Sequence, residues 1–250
     1  MKNCKFFRFL FGMLFLLMAS LSLGAQNLKV VATTEWTAAF CRAAGIESVY
    51  TLAPSALRHP PDYGLRPADI PVLAEADFIV FAGYEGMMER IRSTAPKAQL
   101  IKITTTYAPK DIVASVTLLA ERAGTQGAAQ QGLKEIQEAW DEGREMVLQA
   151  GLAGKNVAAH VFQAPFLKQM GMTIVHRFGP MPPTPANIAK AAKSGAELVV
   201  DNWHNPVSSP IREVLPETLY AELFNFPGRL DTVDLKDVIC ANAKLFIQAQ

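Results

Sequence analysis

Histidine and cysteine are scarce in this chain: four of the first and three of the second among 250 residues. No two cysteines stand at CxxC spacing, so a cysteine-built zinc cluster is not expected. Cys41 and Cys240 lie on apolar faces of predicted helices, where free buried thiols are the expectation. The chain also lacks an HxH or HExxH pair, a GxSxG elbow and a glycine-rich phosphate loop. A metal-dependent hydrolase is therefore the least favoured function class. Charge of one sign is missing too, with 24 basic against 23 acidic residues, and no basic stripe is available to engage a nucleic-acid backbone.

A run of uninterrupted apolar residues occurs at the start. Lys2, Lys5 and Arg8 precede an apolar stretch from Phe9 to about Leu23, followed by the small residues Gly24 and Ala25. That layout predicts a secretory signal peptide over residues 1–25, cleaved near Ala25. Its apolar core of roughly 15 residues is under the ~20 needed to span a bilayer. Cys4 falls in the charged part, away from the cleavage site, so a lipid anchor is not expected. Removing Lys2, Lys5 and Arg8 takes the formal charge from +1 to −2.

From Leu28 onward, strand-like and helix-like segments alternate. LKVVATT, VYTLAP, DFIVFAG and QLIKITT read as strands separated by helices, and NVAAHV, MTIVHRFG, ELVVDNW and TLYAELFNF repeat that plan in the second half. Continuous apolar strands between helices indicate parallel sheets covered on both faces. The fold class expected is therefore α/β: an N-terminal lobe over residues 26–126 and a C-terminal lobe over 152–250, each with a four-stranded, mainly parallel sheet. Between them, residues 127–151 carry an apolar stripe at Leu133, Ile136, Trp140, Gly143, Val147 and Ala150 on an otherwise charged helix. This helix is expected to bridge the lobes. Thr184 and Ser209, each followed by Pro, read as helix N-caps.

The few histidines fall at informative places. His160 closes NVAAH, His204 closes ELVVDNWH, and His59 follows VYTLAP in a proline-rich loop. Open α/β sheets bind ligands beyond the carboxyl ends of their strands, so these imidazoles point to a metal cleft. His176, inside the strand TIVHRF, is expected to be structural.

The segments ALRHPPDYGLRPADIPVLAEADFIVFAG and KNVAAHVFQAPFLKQMGMTIV resemble the solute-binding proteins of bacterial metal-ion ABC transporters. Members of that family carry zinc, manganese or iron through the periplasm to a membrane permease. The resemblance implies two α/β lobes joined by a rigid helix, a monomer, and no catalysis. It makes His59 the first metal ligand and His160 the ligand from the second lobe. Where the family places a further histidine, this chain has TTTYAPKD, and near the family's final carboxylate it has Asn225, with Asp231 the nearest acid. Asp201 stands at the end of a strand where the family has a glutamate, and His204 follows in an NWHNP turn. The expected metal set is thus His59, His160, His204 and Asp201, with Asp201 or Asp62 able to serve as hydrogen-bond partner to a ligating imidazole.

Imidazole nitrogens with one carboxylate suit zinc best, while manganese prefers more oxygens and iron stands beside it as an alternative. Because only neutral imidazole ligates, affinity is expected to weaken below about pH 6.5. The departures from the family pattern also open a second possibility, an organic molecule or metal chelate such as a corrinoid, haem or siderophore. Trp36, Tyr63, Tyr84, Phe162 and Trp203 are the aromatic residues placed to line such a pocket.

Overall fold

The computed structural model describes residues 28–249, so the signal-peptide expectation over residues 1–25 lies outside the described residues. The first lobe comprises β1 (Val30–Ala32), α1 (Glu35–Ala43), β2 (Val49–Thr51), α2 (Asp69–Ala74), β3 (Phe78–Phe81), α3 (Met88–Thr94) and β4 (Gln99–Lys102). Helix α4 (Pro109–Ala123) follows, then the long α5 (Gln126–Gln149). The second lobe holds β5 (Asn156–His160), α6 (Ala164–Gln169), β6 (Thr173–Phe178), α7 (Pro185–Ala191), β7 (Leu198–Asn202), α8 (Ser209–Val214), β8 (Leu219–Leu223) and α9 (Leu235–Ile247).

Every strand pairing is parallel, in the orders β2-β1-β3-β4 and β6-β5-β7-β8. The fold is two four-stranded α/β lobes with a long helix between them. Chain direction across each sheet reverses at its second and third strands, β1 beside β3 and β5 beside β7. Such switch points leave a crevice at the strands' carboxyl ends, where the connecting loops diverge. The strands are short but apolar: β1 is buried throughout, and so is β7. Helix α1 starts sharply because Thr34 and Thr37 form a reciprocal capping box.

Helix α5 has 24 residues, roughly 36 Å at about 1.5 Å per residue. Its buried positions are Ala129, Ile136, Ala139, Trp140, Gly143 and Val147, one face of an otherwise polar helix. That face packs on α9, and Gly143 admits Met170 at the end of α6 and Ala243 of α9 close against it, a Cβ there standing 2.7 Å from Met170 Cε and 3.3 Å from Ala243 Cβ. Gly132 does the same against the first lobe, since a Cβ there would sit 2.2 Å from the Ala43 carbonyl oxygen.

The helix does more than join two bodies. One apolar core runs through both lobes, and aromatic rings carry it across the boundary. Trp36 of α1 stacks 6.1 Å from Tyr107 and lies 6.0 Å from Phe226; Trp140 of α5 lies 5.5 Å from Phe166 of α6. Cys41 and Cys240 are both free thiols; Cys41 is buried, and Cys240 is only partly so because it sits at the edge of α9 near Glu142.

Candidate metal-binding cleft

The two switch points face one another across a cleft of about 630 Å³. The first lobe contributes Thr34, Trp36, Arg58, His59, Tyr84, Lys102 and the run Thr104 to Thr106; the second contributes Phe162, Pro180, Asn202, His204, Asn205, Asn225 and Phe226. Most come from loops after β1 to β5, β7 and β8, or from the loop between β6 and α7; Trp36 lies in the first turn of α1, and Lys102 and Asn202 are the last residues of β4 and β7.

His59 reaches the cleft on a loop braced from behind. Pro60 and Pro61 open a single 3-10 turn over Pro60–Asp62, and the Asp62 amide donates back to the His59 carbonyl at 3.1 Å. Pro fixes φ near −65°, which preorganises such a turn. Further on, the buried Asp69 carboxylate accepts from the Tyr63 hydroxyl at 2.8 Å, the Tyr50 hydroxyl at 3.3 Å and the Arg66 amide at 2.7 Å. Three donors on one buried acid fix where the loop returns to α2. The His59 ring lies 2.8 Å from Asp62 through Nδ1. An ionised carboxylate only accepts, so Nδ1 carries a proton, and in the neutral ring Nε2 bears the lone pair.

His204 is set by the same logic from the opposite lobe. Its Nδ1 lies 3.1 Å from the Arg58 carbonyl oxygen, which can only accept, so its Nε2 is again unprotonated. That Nε2 is buried and has no hydrogen-bond partner among the described residues. The ring stacks on Phe226 at 3.7 Å between centroids. Burial, reinforced by the positive charges of Arg229 and Arg58 and opposed by the Arg58 carbonyl, lowers the pKa to about 4. The expected loss of ligation below about pH 6.5 therefore does not extend to this imidazole.

Asp201 does not line the cleft. Its Oδ2 accepts from the Val207 amide at 3.0 Å and the Ser208 amide at 2.8 Å, and Oδ1 accepts from the Asn202 amide at 2.8 Å. Both oxygens are committed to backbone donors, Oδ2 at the entrance to α8 and Oδ1 at the end of β7. The sequence places the cap at Ser209, but Ser209 is already helical, Ser208 precedes it without a side-chain bond, and Asp201 supplies the acceptor instead. Neighbouring Asn202 completes the turn by accepting from the His204 amide at 3.1 Å. Thr184, by contrast, caps α7 as expected, accepting from the Asn187 amide.

His160 ends β5 at the second lobe's switch point, yet its ring turns inward. It is fully buried, and Nδ1 accepts from the Phe162 amide at 3.2 Å. The neutral ring then has its hydrogen on Nε2, which offers no lone pair to a metal. That nitrogen abuts Gly179, where a Cβ would stand only 2.3 Å away. Burial lowers the pKa to about 4 against the opposing pull of Asp201. The expected four-residue set is thus divided: His59 and His204 line the cleft, while His160 and Asp201 shape its floor. Among the described residues, no three of His, Cys, Asp and Glu are grouped to hold a metal ion.

The remaining sequence candidates separate in the same way. Asn225 lines the cleft where a carboxylate was sought, its Oδ1 accepting from Gln163 at 2.8 Å. Asp231 lies outside the wall, in a left-handed turn at φ 55°. His176 approaches Asn187 at 3.3 Å within the second lobe. Of the five aromatics, Trp36, Tyr84 and Phe162 line the cleft; Tyr63 is turned to Asp69, and Trp203 is sandwiched by the guanidinium groups of Arg58 and Arg229, each 5.0 Å from its ring.

Sequence reasoning passed over Arg58, Lys102 and the threonine run. Their signal was present: Arg58 precedes His59, and IKITTT places a lysine and three hydroxyls at the carboxyl end of β4. It also missed Glu85 as an anchor. Its buried carboxylate accepts from the Thr33 hydroxyl at 2.6 Å and the Ala82 and Gly83 amides at 2.8 and 2.7 Å, fixing the turn that carries Tyr84.

No family model matches this sequence, and no curated protein matches it. Solved structures do share the fold. A Cd-bound periplasmic metal binding protein from candidatus liberibacter asiaticus aligns with a TM-score of 0.67 at 12% identity, covering 88% of this chain and 98% of that one. The laminin-binding protein Lbp of Streptococcus pyogenes aligns at 0.66 and 12%, covering 89% and 98%. The solute-binding protein FpvC from P. aeruginosa, in complex with Ni2+, aligns at 0.66 and 14%, covering 89% and 96%.

Proposed function

We propose that this protein is a periplasmic solute-binding protein that captures a divalent metal ion, zinc foremost, in the interlobe cleft and delivers it to an ABC transporter permease. It acts as a monomer and catalyses nothing. Of the four sequence candidates, His59 and His204 are the proposed ligands, one from each lobe, and His160 and Asp201 hold the surrounding backbone.

The observation that carries this reading is the placement of the two cleft imidazoles, one from each lobe. In each, Nδ1 is held by an oxygen, Asp62 at 2.8 Å for His59 and the Arg58 carbonyl at 3.1 Å for His204, which leaves Nε2 of the neutral ring as the ligating atom. A carboxylate or carbonyl behind a ligating histidine is the usual support of a metal site. Nitrogen donors favour zinc over manganese. The reading is further supported by neighbours of the same fold whose structures are described as bound to Cd, Mn or Ni.

The test is calorimetric titration of metal-stripped protein with zinc chloride. One site is expected, weakened at least tenfold, about 1.4 kcal/mol, in His59→Asn and in His204→Asn. Asparagine keeps an N–H for the same oxygen partner, which separates ligation from loop support. Absence of zinc uptake by the wild type, whether zinc is offered as the chloride or as a chelate, or wild-type affinity in the double variant, overturns the proposal.

A further inference from the structure

The cleft is larger and more positive than a bare cation requires. At about 630 Å³ it falls within the range of roughly 300–1,000 Å³ typical of small-molecule pockets. No carboxylate belongs to its wall, yet two cations do, Arg58 and Lys102. Neither enters an ion pair among the described residues. The Arg58 Nε donates to the Trp203 carbonyl at 2.8 Å, which fixes the guanidinium plane over the Trp203 ring at 5.0 Å. The stem of Lys102 rests against Gly83, where any Cβ would come within 2.7 Å of its Cε. Two positive groups positioned in this way raise the local concentration of anions and oppose a dication arriving alone.

We propose that the cargo enters as an anionic complex, a divalent metal already held by a small polycarboxylate. His59 and His204 complete the metal's coordination from one side, while Arg58 and Lys102 bind the chelator's carboxylates. Arg forms paired hydrogen bonds to a carboxylate and Lys a point-charge contact. Thr104, Thr105 and Thr106, adjoining Lys102, add hydroxyl donors. An anion without metal is disfavoured, because the two unprotonated Nε2 atoms present lone pairs to it. A metal without its chelator leaves both cations unneutralised. This inference rests on the metal-binding reading and specifies the form of the cargo.

Calorimetry of the metal-stripped protein distinguishes the two. The probes are zinc chloride, zinc–citrate, zinc–nitrilotriacetate and each chelator alone, with native mass spectrometry to count what stays bound. The expected result is a 1:1:1 complex of protein, zinc and chelator, formed at least tenfold more tightly than either partial complex. Lys102→Gln weakens it at least tenfold, and Arg58→Gln does likewise. If free zinc binds as tightly as both chelates, or Lys102→Gln binds them like the wild type, the inference falls and the metal reading stands. If a chelator alone binds as tightly as its zinc complex, the metal reading falls instead. If no probe binds, both fall.

Discussion

With a chelator present, the protein should lose stability as pH falls from 7 to 5, and a calculable part of that loss belongs to His160. In the unfolded chain its imidazole titrates near 6.5; in the folded protein burial lowers the value to about 4. Over that interval the unfolded state binds a proton that the folded state refuses, so stability rises with pH between the two values. It is fully present above about 6.5 and is lost as pH falls toward 4. From these two values, one such residue accounts for about 2 kcal/mol between pH 7 and pH 5. For a protein of this size that corresponds to a fall in Tm of roughly 4–8 °C.

The assay is urea denaturation at pH 7, 6 and 5 with a chelator present, comparing wild type with His160→Asn. Asparagine retains an acceptor for the Phe162 amide but takes up no proton. At pH 7 the variant is expected to be less stable by about 1–3 kcal/mol because the ring is truncated beside Gly179. Its decline toward pH 5 should be shallower than that of the wild type by about 2 kcal/mol. His204 contributes a slope of the same sign in both proteins and cancels from the difference. Parallel declines would show that the buried ring is not held neutral, and the account of the cleft floor would be wrong.

Gly132→Ala should destabilise by about 1–3 kcal/mol in chemical denaturation, although alanine is normally the better helix former by about 1 kcal/mol, because its Cβ would meet the Ala43 carbonyl oxygen at 2.2 Å; a stabilised variant would refute the packing described. Asp201→Asn puts an NH2 among three amide donors, so at least one is left unpartnered, and a loss of about 1–3 kcal/mol is expected from urea melts. No change there would remove Asp201 from its role at the start of α8. Small-angle scattering with and without zinc should give the same radius of gyration within error; a measurable compaction would show hinge closure instead.

The fold was legible because its signals are local and repeated. Apolar strands such as VVA and LVVDN alternate with capped helices, and the stripe from Ile136 to Val147 is the buried face of α5. That strand ends would meet in a cleft also followed from order alone. Which way an imidazole turns there did not. His160 and His204 both close buried strands, yet one ring is drawn inward by the Phe162 amide and a glycine 19 positions on, while the other is drawn out by a carbonyl 146 residues away. Asp201 misled for a related reason. A carboxylate at a strand end serves equally as a ligand or as a cap for the next helix, and the five residues between Asp201 and Val207 decide it by looping two amides back onto Oδ2.

The expectation of an unmoving shape rests on where the apolar area lies. Two lobes joined only by a helix could rock freely about it, and cargo could then pull them together. Here the boundary itself is core: Trp36, Tyr107, Phe166 and Phe226 meet across it. Exposing four large rings costs about 1.5–3 kcal/mol each, or roughly 6–12 kcal/mol, as much as a typical domain's whole stability of about 5–15 kcal/mol. A cargo gaining that much on closure alone would need an affinity ratio between the two states of about 10⁴ or more. Local rearrangement is far cheaper. The loop carrying Arg58 and His59 is tied to the second lobe by the bonds to Trp203 and His204, which are polar and partly exposed. Any rearrangement on ligand binding is therefore expected in that loop and the turn it touches, while the helices beneath them stay in place.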